Sequence, residues 1–150
     1  MGQTAMAAYR TIIIKGDGEH GESVAFEAIT PGSLLNFRAG DGKVDLNDNV
    51  TDIVPTIFAK ENENFGQGID TPYAAGENVE WVNPHRGSEI HALVPPAAPA
   101  IALYDKLIPG LNGTVVKAAL GTNVNIIAMA MEAVNNSGGG SAARLLIRIL

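Results

Sequence analysis

The stretch AMAMEAVNNSGGGSAARLLIRIL, residues 128–150, constrains the fold more than any other part of the chain. Leu145, Ile147 and Ile149 share one parity while Arg144 and Arg148 share the other. That period of two is the mark of a strand with one face buried and one nearer water. The Asn/Ser/Gly run before it supplies turn chemistry, and the apolar run before the turn supplies a partner strand. Met129 and Met131 share one side of that partner, and core packing is the default reading for both. With a core strand placed last in the sequence, neither a tail nor a second domain is expected after it.

Turn signals recur about every ten residues, at 16–21, 30–32, 39–43, 65–68, 70–78, 83–87, 95–99, 108–113 and 135–141. Between them lie short β-branched or alternating runs, which predict strands over 9–15, 24–29, 34–38, 53–59, 78–82, 89–94, 114–118, 125–134 and 144–149. One short helix is expected over 100–107, entered through Pro99 and ended before Pro109. No segment sustains helical periodicity over several turns. The expected fold is therefore mainly β: a single-domain β-sandwich or barrel-like module with short turns and at most one short helix. Residues 9–150 are expected to form the domain and residues 1–8 an extended N-terminal arm. At 150 residues the chain is long enough to bury a core without staples, and it has no cysteine with which to make a disulfide.

A formal net charge of −6, with no Lys/Arg cluster to offset it, argues against nucleic acid and anionic membranes as partners. The first sixteen residues lack both a basic region before an apolar run and a long apolar core, so neither a secretion signal nor a membrane span is expected. Met6 stands where myristoylation needs Ser or Thr. Without secretion, the sequons at Asn49, Asn112 and Asn135 carry no weight.

Several motifs approach chemistry and fall short. Gly16 to Gly21 matches the spacing of a dinucleotide fingerprint, but too few residues separate it from Thr30-Pro31-Gly32 to hold the required helix, and Asp17 and Glu19 would face a pyrophosphate. It reads as a loop between strands. Asp45, Asn47 and Asn49 imitate the opening of a calcium loop, yet Val50 replaces the turn glycine and Thr56 the bidentate glutamate, leaving an acidic solvated loop. His85 and His91 lack a third ligand at zinc spacing and read as surface or cross-strand residues. Glu61, Glu63, Glu77 and Glu80 could supply a carboxylate pair, but solvated faces are the plainer reading. No activated nucleophile is recognisable. The chain is expected to be no enzyme and to use no cofactor and no metal.

Two resemblances go further. The segment GIDTPYAAGE, residues 68–77, resembles the third motif of trimeric dUTP nucleotidohydrolases, and AGDGKVDL, residues 39–46, echoes their first. That likeness would give Asp70 the activation of water and Tyr73 the packing against deoxyribose. An extra residue before Gly76-Glu77, the lack of an Arg-Ser-Gly motif and the lack of a glycine-rich C-terminal arm depart from the family. The wider order of motifs resembles the decoration, or cement, proteins of tailed-bacteriophage capsids: EAITPGSLLNF (27–37), the long segment 58–94, NGTVVKAA (112–119) and the closing hairpin. Residues 95–110 depart from that pattern, where a glycine-led strand is expected.

The second resemblance implies a structural virion protein on the outer surface of the mature phage head, as a homotrimer whose partner is the major capsid protein. The arm residues Gly2, Gln3, Thr4, Ala5, Met6, Ala7 and Ala8 are small and uncharged, and form the candidate capsid-binding segment. Extended, such a segment reaches about 25 Å at roughly 3.3–3.6 Å per residue. Trp81 shares parity with Val79 and is expected to be buried with it. A ligand-binding β module or a fibre-type virion component is the remaining alternative.

Overall fold

A computed structural model of the chain describes residues 11–119 and 125–150. These contain the strands β1 (Ile13–Lys15), β2 (Gly18–Val24), β3 (Leu35–Phe37), β4 (Val44–Leu46), β5 (Phe58–Ala59), β6 (Asn78–Pro84), β7 (Glu89–Val94), β8 (Lys106–Pro109), β9 (Val115–Lys117), β10 (Ala128–Ala130) and β11 (Ala143–Ile149). They form a six-stranded sheet ordered β1-β7-β11-β10-β8-β9, a three-stranded sheet β2-β6-β5 and the pair β3-β4, with every ladder antiparallel. Among the described residues no sheet closes on itself, so the fold fits the sandwich-like half of the expectation and not a closed barrel.

The closing hairpin is as its periodicity predicts. Leu145, Ile147 and Ile149 are buried in the core while Arg144, Leu146 and Arg148 are half-buried on the other face. Its partner has the opposite phase to the one expected. Ala128 pairs with Ile149 and Ala130 with Ile147, so the alanines face the core and Met129, opposite Arg148, lies on the outer face. Small residues opposite large ones let the two strands fill one layer without overpacking.

Two apolar clusters result. The larger joins β7, β8, β10 and β11 through Ile90, Ala92, Leu107, Ala128 and Ile147. The smaller gathers Ile29, Leu35, Val44, Tyr73 and Val79. Phe58 belongs to the first and Ala59 to the second. Adjacent strand residues point to opposite faces, so β5 stands between the two clusters.

Other expectations are corrected. The glycine-rich turn is confined to Gly16-Asp17, and Gly18 already begins β2, because Gly21 lies opposite Trp81 and a Cβ there would collide with the indole. The strand expected over 24–29 stops at Val24; beyond it only single bridges remain, Ala25 to Val44 and Ile29 to Tyr73. Residues 53–59 contribute two strand residues, and part of the supposed acidic loop becomes β4.

No helix forms over 100–107. Ile101 bridges Val134, and the Tyr104 N–H donates to the Ala130 carbonyl, at 2.8 Å, so the backbone pairs with its neighbour rather than with itself. The Asp105 carboxylate accepts the Ala102 N–H at 2.8 Å and closes a turn, after which β8 begins.

Candidate functional site

An apolar groove of about 680 Å³ lies between the end of β7 and the β8–β9 hairpin. Leu93, Pro95, Pro96, Ile108, Leu111 and Val116 supply most of its apolar wall, and no charged side chain is among its described lining residues.

Local chemistry builds each wall. Pro95 and Pro96 lack the N–H that a continuing ladder needs, so β7 ends there. The Asn136 side-chain amide fixes the exit by donating to the Pro95 carbonyl at 3.0 Å and the Ser141 carbonyl at 2.9 Å. At the hairpin tip Asn112 (φ 56°) and Gly113 (φ 74°) are both left-handed. That geometry suits an Asn-Gly pair. The tip is tied across the molecule: the Asn112 N–H donates to Asp48 Oδ1 at 2.7 Å, and the Gly113 N–H to the Asn47 carbonyl at 2.9 Å. Asn47 is accordingly buried, which corrects the reading of that loop as wholly solvated.

Tyr73 and Asp70, the residues of the nucleotide-hydrolysing alternative, do not meet. Tyr73 is 1% exposed, with its hydroxyl donating to the Lys60 carbonyl at 2.9 Å and accepting the Glu80 N–H at 3.3 Å. Its ring is in the smaller cluster and closed to a sugar, and burial pushes its phenol well above the usual range. The Asp70 side chain is exposed, 3.6 Å from Arg144.

Arg144 lies on β11 with its side chain only 22% exposed. Its guanidinium donates to the Pro31 carbonyl at 2.6 Å and the Ile69 carbonyl at 2.5 Å, and burial lowers its pKa. It thereby pins two loops to β11.

The remaining candidates scatter. His85 is exposed beside Glu19 at 3.3 Å, whereas His91 is buried on β7 opposite Leu146, and burial lowers its pKa. Of the four glutamates, Glu61 departs from the solvated reading: it is 3% exposed, accepts the Ile12 N–H at 3.0 Å, and burial raises its pKa. Glu80 has Oε2 buried without a hydrogen-bond partner among the described residues, in a shallow depression of about 230 Å³ shared with His20, Glu22 and Lys60. Among the described residues no three His, Asp or Glu are placed to share an ion. Val79 is fully buried as expected, but Trp81 is only half-buried, its edge against Phe37 at 5.4 Å and its indole N–H donating to Ser23 Oγ. The arm residues Gly2 to Ala8 lie outside the described residues.

The groove itself went unread in the sequence. Its one signal was the Pro95–Gly110 stretch, where the decoration-protein pattern fails.

No protein-family profile and no curated protein matches the chain. Its structure is similar to the crystal structure of the head fibre gp8.5 N base in bacteriophage phi29, with a TM-score of 0.57 and 15% sequence identity over 88% of this chain and 93% of that chain. At that identity the likeness is one of fold.

Proposed function

We propose that this chain is a structural virion protein that binds the outside of a mature phage head as a homotrimer and stabilises contacts between major capsid subunits. The observation that carries the reading is the fold likeness to a head fibre base, which spans nearly the whole of both chains. The order of sequence motifs supports the same class independently.

The mechanism is an avidity clamp. A trimer that touches several capsid subunits makes its later contacts intramolecular, so modest interfaces sum to tight attachment. Each needs on the order of 1,000–2,000 Å² of total buried area. Exposed apolar side chains such as Phe26 and Phe37, with Arg38 stacked 3.5 Å over the Phe26 ring, have the composition of interface anchors. The arm Gly2–Ala8 extends the reach of each protomer.

A second reading is favoured by the same likeness: a base that seats a fibre on the head. Copy number separates the two. Purified protein mixed with empty expanded heads should co-sediment, and a particle reconstruction should show trimers throughout the lattice for a cement protein, or at a few positions for a fibre base. Failure to co-sediment, or dUTP turnover with magnesium that is lost in Asp70→Asn, would overturn both.

A further inference from the structure

We propose that β2 is a strand-addition site for an extended segment of another protein that carries Lys or Arg. The edge comes first. β2 is an outer strand of its sheet and runs seven residues, whereas β1, β5 and β9, the other outer strands of the two larger sheets, run two or three. Short edges are one way in which sheets avoid recruiting a further strand. β2 lacks that protection.

The register shows which groups are open. The His85 N–H donates to the Asp17 carbonyl at 2.9 Å and the Ala25 N–H to the Glu77 carbonyl at 2.8 Å, so the odd-numbered residues of β2 bond to β6. His20, Glu22 and Val24 therefore turn their N–H and C=O groups outward, where they have no backbone partner among the described residues. Phe26, the next residue in that outward row, donates its N–H to the Val44 carbonyl at 2.8 Å. The row is thus taken by β4 at one end and open along Gly18–Val24.

Side chains then select the occupant. Glu22 stands opposite Glu80, in a depression of about 230 Å³ that also takes in His20 and Lys60. Like charges directly opposite each other disfavour a ladder, and Glu80 Oε2 has no hydrogen-bond partner among the described residues. The cations nearby are engaged: Lys60 Nζ is 4.0 Å from Glu63, and His20 Nε2 is 2.6 Å from Asp17 Oδ1. β2 itself contributes Glu19 and Glu22 and no Lys or Arg. A cation on an added strand beside Glu22 answers that charge. Gly21 prepares the neighbouring position, because the six-membered ring of Trp81 reaches over the space a side chain there would fill. An incoming cation meets an aromatic surface at the edge itself. A second copy would instead bring the same carboxylates to one seam, on a chain of net charge −6, so the occupant is a different and basic chain.

This goes beyond the head-binding reading and does not depend on it.

The test reads the outward amides of the full chain. An end-labelled peptide of alternating threonine and lysine should bind at physiological salt, followed by fluorescence anisotropy, and should slow amide exchange at His20 and Glu22. A threonine–glutamate peptide should not bind. His20→Pro removes an outward N–H and no bond to β6, and should weaken binding about tenfold, while His20→Ala keeps the N–H and should bind like the parent. Glu22→Lys should abolish binding. Should His20→Pro lower the urea midpoint, the lysine peptide methylated at alternate backbone nitrogens takes its place against the unaltered protein, with the same loss expected. Equal binding by the two His20 variants, by the plain and methylated peptides, or by the lysine and glutamate peptides would reduce the contact to unspecific attraction and overturn the proposal, as would no binding at all. Protection of the His20 and Glu22 amides in dilute free protein, or a dimer broken by His20→Pro, would overturn it by giving the edge to this chain itself. No head is present in the assay, so these failures leave the head-binding reading to its own co-sedimentation test.

Discussion

The six-stranded sheet and the segment from Ala25 to Tyr73 both end in an apolar cluster, but they reach it by different means. In the sheet, β7 and β11 pair over six residues; alternation sends every second side chain of β11 into the core, and β7 is buried on both faces. In the other region the ladders are two or three residues long, and the chain is held by single bridges such as Ile29 to Tyr73 and by side chains that bind backbone. Tyr73 holds Lys60 and Glu80, Arg144 holds Pro31 and Ile69, and Glu61 holds Ile12. Regular pairing satisfies backbone groups generically, whereas irregular backbone needs a named partner for each buried N–H and C=O. The two regions should therefore fail in different ways when mutated.

The largest effect belongs to the sheet. Ile147 is fully buried at the centre of the larger cluster, so Ile147→Ala should lose about 2–5 kcal/mol, read as a lower urea midpoint with unchanged slope. A loss below about 1 kcal/mol, the range of a surface change, would mean that this sheet is not the main support. Next comes the pin between the regions. Arg144→Leu keeps the stem's packing but strips two loop carbonyls of a charged donor, and should cost about 1.5–3 kcal/mol. The loss should centre on the loops: amide exchange should quicken around Pro31–Ser33 and Ile69 while β7 and β11 stay protected. Uniform acceleration would erase the distinction drawn between the two halves. A smaller effect tests one tie alone. Tyr73→Phe leaves the ring in place and removes the hydroxyl between Lys60 and Glu80, for an expected loss of about 1–2 kcal/mol in chemical denaturation.

The same contrast explains what could be read from the sequence. The hairpin of residues 128–150 and the strands over 78–82 and 89–94 were legible because their pattern is local and their ladders long. The phase of β10 was not, since Met129 and Met131 look more like core than Ala128 and Ala130 until the register against Ile147 and Ile149 is known. The helix expected over 100–107 failed because the flanking Pro99 and Pro109 said nothing of the Tyr104 bond to Ala130. The groove was illegible for a stronger reason: its walls come from stretches as far apart as Ala28 and Ala142, and only the fold brings them together. Buried polar residues were misread for the same cause, because Glu61 looks solvated in a run of Lys60, Asn62 and Glu63 until Ile12 is laid beside it.

Glu61 also sharpens the comparison at its finest grain, through pH. Its carboxyl is shifted upward chiefly by burial, with Glu63 adding to the shift while the hydrogen bond from Ile12 and the charge of Lys60 oppose it. A carboxyl raised in the folded state binds more protons there than in the unfolded chain. Its contribution is thus fully present below the ordinary glutamate value, about 4.3, and is lost as pH rises through the higher folded value. Glu61→Gln keeps an oxygen for the Ile12 N–H and does not titrate. The stability of the variant minus that of the parent should therefore rise with pH across that window and be flat above it. His91, whose pKa burial lowers, favours the folded state in the opposite direction as pH rises, but it is present in both proteins and cancels in the difference. A difference that stays flat from pH 4 to 8 would mean that the carboxylate keeps its ordinary pKa despite burial, and that the β1 root is anchored by packing of Ile12 rather than by this polar tie.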